Sequence, residues 1–236
     1  MSLDGFQVVA GKQEHIPIVK KFLTDSFRIT EPITCCSEDD VDTFFNDLAD
    51  GSLMEGENSF LVFDGETLAA ICLNNVKEIE NTENNIPPSF DPHKDYLEEI
   101  ENGPYKPRNA NRLCTFVEAV EKDLQYLSGG SNRIFKIDVL CVNVNYQGKG
   151  IGRWLVEQSL IRAAQVNCTY LASAATAKAS QGIFAKFGLG TLREIPFSCF
   201  REGGEQVFRN LRDGGLSGRL MGIKVVPSNL EEYDLR

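Results

Sequence analysis

The stretch that most restricts what this chain can fold into is Gln147-Gly148-Lys149-Gly150-Ile151-Gly152. Before it, Ile134 to Val144 alternates and is rich in branched residues, which predicts a strand. After it, Ile151, Trp154, Leu155, Ile161 and Ala164 recur at helical spacing. Glycines in a strand-to-helix turn let backbone N–H groups converge on one point. The helix adds its unpaired first N–H groups and the positive end of its dipole. Such a turn can bind a pyrophosphate with few basic side chains, and Lys149 and Arg153 add local charge. It is not G-x-G-x-x-G, because Gln147 takes the first glycine position, and it lacks the Gly-Lys-Ser/Thr of a P-loop. Taken alone it reads as a tight structural turn; the surrounding sequence decides.

Ile18, Val19, Phe22, Leu23 and Phe27 predict an amphipathic helix near residues 14–28, broken at Thr30-Glu31-Pro32. Ser37-Glu38-Asp39-Asp40 is a capping-box pattern ahead of Val41, Phe44, Phe45 and Leu48, which predicts a second helix ending near Asp50-Gly51. Phe60-Leu61-Val62-Phe63 and the run from Leu68 to Leu73 predict strands, with a hairpin signal at Asp64-Gly65. From Lys77 to Gly103 the chain turns polar, with eight acids against two lysines. That stretch reads as an insertion around a short helix at Tyr96 to Ile100, not as core. Leu113 to Leu127 predicts a helix and Tyr170 to Ser173 a strand. Thr176 to Phe187 predicts a helix capped by Gly188, and Leu192 to Phe200, Gln206 to Asn210 and Arg219 to Val226 predict late strands. The order is that of one α/β domain over residues 1–236, with a variable insertion at 77–130 and a loose tail at 231–236.

Charge and cysteine usage remove several function classes. The net charge is −10, whereas a surface that tracks nucleic-acid phosphates needs clustered Lys and Arg. No nucleic-acid partner is expected, but a small anionic ligand remains compatible. No apolar run approaches the ~20 residues of a membrane span, and Met1 to Lys12 lacks the pattern of a signal peptide. The seven cysteines are scattered, form no C-x-x-C, and are joined by only two histidines. Neither a metal site nor a disulfide framework is expected, and a reducing, cytoplasmic compartment fits.

Gln147-x-x-Gly150-x-Gly152 resembles the Gln/Arg-x-x-Gly-x-Gly/Ala pyrophosphate motif of the GNAT superfamily of N-acetyltransferases. Val142 to Gly152 resembles, more narrowly, the invertebrate arylalkylamine N-acetyltransferase branch. Ala185-Lys186-Phe187-Gly188-Leu189 resembles the family's other landmark, a helix ending just before a strand. Thr30-Glu31-Pro32-Ile33 resembles the loop that carries the branch's catalytic glutamate. The resemblance spans residues 6–226, strongly in 134–190 and weakly in 77–130. It implies the GNAT fold, an α/β arrangement whose mixed, mostly antiparallel sheet has helices on both faces and a splayed central strand pair. Acetyl-CoA would lie in that gap. Leu140, Cys141 and Val142 would meet the pantetheine arm through main chain, and Gln147, Gly148, Lys149, Gly150, Ile151, Gly152 and Arg153 would hold the pyrophosphate.

Making an amide from a thioester needs a neutral amine, a stabilised oxyanion and a protonated leaving thiol. An alkylamine is mostly ammonium at neutral pH, so a base, or water leading to one, is required. The resemblance assigns that role to Glu31; the alternative is a solvated glutamate. Thr176 and Ser180, four apart on a predicted helix, would share a face. They match the branch's two serine positions, with threonine at the first. Ser180 would then serve the leaving thiolate, against the alternative of a core-facing or capping hydroxyl. Phe184 stands where many GNAT enzymes place a tyrosine acid. Lys178, Lys186 and Arg162 read as solvated helix charges or contacts for the 3′-phosphate of CoA, and Trp154 as core. The leading expectation is acetyl transfer to a small primary amine, an arylalkylamine such as dopamine, serotonin, tyramine or octopamine. A polyamine or protein amine is second, since an acidic surface steers polycations, and a non-catalytic acyl-CoA-binding protein is third. Oligomeric state stays open.

Overall fold

The first strand, unforeseen in the sequence, starts the sheet at its edge. Gln7–Ala10 (β1) pairs antiparallel with Phe60–Asp64 (β2), which turns at Gly65 into Thr67–Glu78 (β3). The computed structural model in which this is seen describes residues 3–34, 41–54, 57–80 and 90–226. β3 pairs antiparallel with Arg133–Val142 (β4), and β4 lies parallel to Tyr170–Ala175 (β5). Gly190–Pro196 (β6) forms the far edge, and Arg201–Glu202 (β7) with Glu205–Gln206 (β8) makes a separate small hairpin. Ser217–Lys224 (β9) inserts antiparallel between β5 and β6, giving the order β1-β2-β3-β4-β5-β9-β6. The sheet is mixed and mostly antiparallel, as the resemblance implied.

Helices cover both faces. Ile16–Phe22 (α1), a π-helical turn at Leu23–Phe27 and Arg28–Thr30 (α2) form one rod. With Asp42–Leu53 (α3), Leu97–Glu101 (α4), Arg108–Glu121 (α5) and Leu124–Leu127 (α6) it buries Ile71, Leu73, Ile134, Val139 and Cys141. Ile151–Gln165 (α7) and Lys178–Lys186 (α8) cover the opposite side, over Val62, Ala70, Phe135, Ile137 and Leu171. Within the stretch 77–103, read from sequence as insertion and not core, Tyr96 and Ile100 are buried, because apolar residues at helical spacing outweigh the polar average around them. Leu113, Phe116 and Val120 of the following helix are buried as well. Phe116 packs against Phe197, Phe200 and Phe208 with ring centroids 5.0–5.3 Å apart, fixing the segment after β6 onto α5. Each such pair contributes about 0.5–1.5 kcal/mol beyond burial.

Other boundaries also move. β3 runs on past its expected end at Leu73 to Glu78, into the stretch read as insertion from Lys77, because β4 pairs with it along this length. The helix expected at 113–127 begins at Arg108 and breaks at Lys122-Asp123, where Asp123 takes φ +60°. The helix expected from Thr176 starts at Lys178. The strand expected at 206–210 shrinks to Glu205–Gln206. Ser37 to Asp40, Cys35, Cys36 and the tail at 231–236 lie outside the described residues.

Two irregularities in β4 shape the site. Its parallel pairing with β5 runs only from Ile134↔Tyr170 to Lys136↔Ala172. Where the strands part, Ser173 Oγ donates to Ile137 O at 2.8 Å, a side chain standing in for the ladder. Asp138 is an extra residue, because Leu73 faces Val139 while Asn74 faces Ile137. This bulge interrupts the alternation, so Asp138 and Val139 fall on the same face of the sheet as Lys136, whose ammonium meets Glu121 of α5.

Candidate active site

At the mouth of the β4–β5 gap the chain makes the turn that its glycines permit. Gly148 has φ +79° and Gly150 φ +82°, both left-handed, and Gly150 is the N-cap of α7. A Cβ on Gly150 would meet no atom within 4 Å, so backbone conformation, not space, demands glycine here. The first helical bond is donated by Trp154 to Gly150 O at 3.0 Å. The amides of Ile151, Gly152 and Arg153 therefore have no carbonyl of their own helix to bond. Gln147 Nε2 donates to Val142 O at 3.2 Å and ties the turn to the end of β4. Lys149 turns its ammonium to the rings of Tyr146 and Phe6, 5.1 and 5.6 Å from their centroids.

A cleft of about 500 Å³ opens from this turn. Leu140, Cys141 and Val142 line it along β4, and Ala177, Ser180, Ile183 and Lys186 line it along α8, opposite Phe27, Thr30 and Glu31. All the residues expected to hold the CoA moiety line this cleft except Lys149. Lys186 also lines it, whereas Arg162 Nε donates away from it to Asn58 Oδ1 at 3.1 Å. Trp154 is partly buried against the core, as expected.

Glu31 enters the cleft because of how its helix ends. The π turn lays the rod on β4, where Asn143 Nδ2 donates to Ser26 Oγ at 3.0 Å, and π turns often mark functional sites. Pro32 forces Glu31 out of the helix at ψ 120°, while its amide still donates to Phe27 O at 2.8 Å. Thr34 Oγ1 lies 2.6 Å from Arg28 O and 2.9 Å from Glu31 O, locking the turn. The carboxylate accepts from the Ile33 amide at 3.5 Å and from the Thr176 hydroxyl. Loss of hydration raises its pKa from 4.5 to about 7; the Thr176 and Ile33 hydrogen bonds oppose this and the Asp213 charge adds to it.

A second cavity of about 350 Å³ lies on the other side of Glu31. Phe27, Phe44, Leu48, Leu113 and Val117 give it apolar walls, and Thr176 shares its lining with Glu31. Its far wall is ionic: Lys136 Nζ lies 2.7 Å from Glu121 Oε2 and 2.9 Å from Asp138 Oδ1, with Glu118 beside them. Glu31 thus stands where two cavities meet. Nearby, Cys141 Sγ is 3.5 Å from Thr30 Oγ1, and burial pushes its thiol up to about 12. It stays protonated and is no nucleophile.

Thr176 and Ser180 do not share a helix face. Thr176 precedes the helix, in the link from β5, because the first amide of α8, Lys178 N, is capped by Asp213 Oδ2 at 2.8 Å. The structure separates the two hydroxyls in space: Thr176 donates to Glu31, and Ser180 lines the first cleft. Ser180 Oγ donates to Ala177 O at 2.9 Å, closing the first turn of α8. Phe184 is buried between α8 and the sheet. Sequence reasoning missed Asp213, whose signal was an acid directly before Gly214-Gly215, and it missed the second cavity altogether.

Residues 26–189 match the sequence model of the Acetyltransferase (GNAT) family. A search of curated protein sequences finds no match. Among solved structures the chain is similar to arylalkylamine N-acetyltransferase 2 from Aedes aegypti, with TM-score 0.71 and 16% identity over 94% of this chain and 100% of that one. It is similar to a Drosophila melanogaster polyamine N-acetyltransferase that forms N-acetylagmatine, with TM-score 0.71 and 14% identity over 93% and 99%. It is also similar to the C-terminal condensation domain of Ebony in complex with β-alanyl-dopamine, with TM-score 0.68 and 16% identity over 93% and 99%. At these identities the likeness is one of fold.

Proposed function

The chain belongs to the Acetyltransferase (GNAT) family, and on that premise we propose that it moves the acetyl group of acetyl-CoA to a small primary amine, an arylalkylamine first. The observation that carries this reading is the position of Glu31, a carboxyl with pKa about 7 at the junction of two cavities. The first cavity suits the thioester. Its mouth offers the free amides of Ile151, Gly152 and Arg153 to a pyrophosphate, and its length follows the unpaired edge of β4 to Glu31. The second suits an amine, with apolar walls for a ring or alkyl chain and a carboxylate at the inner end.

In this reading Glu31 takes a proton from the amine, directly or through water, and the amine nitrogen forms a bond to the acetyl carbon. The carbon–sulfur bond breaks, and the leaving thiolate takes up the second nitrogen proton through the Ser180 hydroxyl, which gives one proton and regains one, so CoA departs as a thiol. Thr176 holds the Glu31 carboxylate in place. Ser180 turns its hydroxyl from Ala177 O toward the leaving sulfur, a rotation of one side-chain dihedral. A base with pKa near the working pH combines an ionised fraction with useful proton affinity. Cys141, neutral and buried, takes no covalent part.

The acidic far wall favours a second reading, an acceptor with a second positive charge, as in a polyamine. Glu118 and Glu121 lie where such a tail would end. Thiol release from acetyl-CoA over arylalkylamines, polyamines and lysine peptides separates the two. The expected result is the highest kcat/KM for an arylalkylamine; preference for a polyamine would select the second reading. CoA binding without thiol release on any amine would contradict both.

A further inference from the structure

The segment between β8 and β9 lies far in sequence from every residue assigned to the reaction, yet it touches both walls of the first cleft. Arg212 Nη1 donates to Ile29 O in α2 at 3.1 Å, two residues before Glu31. The next residue, Asp213, accepts from Lys178 N, the first amide of α8, at 2.8 Å, and from Gly215 N at 2.8 Å. Gln181 of α8 closes the arrangement, donating from Nε2 to Ala175 O at 3.0 Å and to Ser217 O at 2.8 Å. Gly214, at φ +63°, lets the strap turn between these anchors. Its upstream end is held by the Phe116–Phe208 contact, and its downstream end leads into the sheet at β9.

We infer that Asp213 is a positioning residue, which with Arg212 straps the start of α8 to the end of α2 and so sets Ser180 and Glu31 across one cleft. The inference rests on the roles proposed above for those two residues. Nothing local in α8 does this work. Its N-cap is Ala177, which has no side chain to cap with, and the helix is only nine residues long. A helix this short needs its first amides satisfied from outside. An aspartate is suited to it, because a carboxylate at a helix N-terminus also meets the positive end of the dipole.

The same carboxylate has a second effect. Its negative charge adds to the desolvation that keeps the Glu31 proton bound toward neutral pH. Other charges surround Glu31. Across the second cavity Lys136 is matched by Asp138 and Glu121, with Glu118 on α5 and Lys77 on β3 further along. Across the first cleft stand Arg153 on α7 and Lys186 on α8. Cys141 on β4 is neutral. Asp213 differs from these in also holding one wall of the cleft by hydrogen bonds.

The test compares Asp213→Ala, Asp213→Asn and Arg212→Ala in the full chain, each measured by amide hydrogen exchange and by the pH profile of thiol release. Asp213→Ala should speed exchange at Lys178, Ala179 and Ser180. It should lower kcat by at least about tenfold, toward the ~10² that a 1 Å misplacement costs, while the KM for acetyl-CoA changes less than about twofold. Asp213→Asn keeps an acceptor oxygen but loses the charge. It should retain exchange protection and move the acid limb of kcat/KM to lower pH. Arg212→Ala should lower kcat with the α8 amides still protected. Parent kcat and parent pH profile in Asp213→Ala, beside an impaired Glu31→Ala, would overturn this inference alone. A fully active Glu31→Ala would overturn the proposed base and the inference with it.

Discussion

Replacing Glu31 by Gln should make the protein more stable at alkaline pH, and the structure gives the size of the effect. The folded carboxyl titrates near 7 and the unfolded one near 4.5. Between those values the folded chain keeps a proton that the unfolded chain has released, so stability falls as pH rises. The loss is complete above about 7. The interval from 4.5 to about 7, at about 1.36 kcal/mol per pH unit, amounts to about 3 kcal/mol. Glutamine resembles the protonated acid in shape and hydrogen bonding, so it removes this cost without opening a cavity. For a domain of this size about 3 kcal/mol corresponds to roughly 6–12 °C in Tm. Thermal unfolding at pH 5 and pH 8 provides the measurement. At pH 5 only about a quarter of the loss has accrued, so the variant should exceed the parent by no more than about 3 °C in Tm, and it should unfold well above the parent at pH 8. A Tm difference that is the same at both pH values would refute the reasoning, because it would show that Glu31 titrates in the folded protein as it does in water.

The other predictions concern the two cavities. Gly150→Val should weaken CoA binding more than Lys149→Ala does, since valine disfavours φ +82° and Lys149 points to Tyr146 and Phe6; calorimetry with CoA giving equal affinity for Gly150→Val and parent would contradict it. Ser180→Ala should lower kcat while leaving CoA affinity within about twofold, and a parent rate at every pH would reduce Ser180 to its bond with Ala177 O. Thr176→Val removes a hydrogen bond that lowers the Glu31 pKa, so the acid limb of kcat/KM should move to higher pH; an unmoved limb would detach Thr176 from Glu31.

What was legible in the sequence was local. Gln147 to Gly152 could be read because the glycines, the strand before and the helix after are contiguous, and the turn folded as read. The Glu31 loop was legible for a similar reason, since Pro32 dictates where the helix stops. β1 escaped because four residues carry little pattern, and its existence depends on pairing with β2 fifty residues away. The bulge at Asp138 escaped because an extra residue in a strand shows only against its partner. Thr176 was placed on a helix because the periodicity runs on smoothly there. The helix starts at Lys178 because a carboxylate from Asp213, thirty-five residues later, caps it. The second cavity has walls from the π turn and the Glu31 loop, α3, β3, α5, β4 and β5, so no single stretch could announce it.

The central claim is that Glu31 handles the amine's proton between the two cavities. Its most direct test is the pH–rate profile of thiol release for the parent and Glu31→Ala, with the best amine found. In the parent, kcat/KM should rise through an acid limb near 7, the value at which the Glu31 carboxyl ionises. Glu31→Ala should lose roughly 10²–10⁴-fold in kcat at neutral pH, the range for a positioned base. It should keep its affinity for acetyl-CoA and regain rate at high pH, where the free amine needs no base. A Glu31→Ala variant that retains the parent's rate and acid limb at neutral pH, or that loses acetyl-CoA binding, would contradict the account.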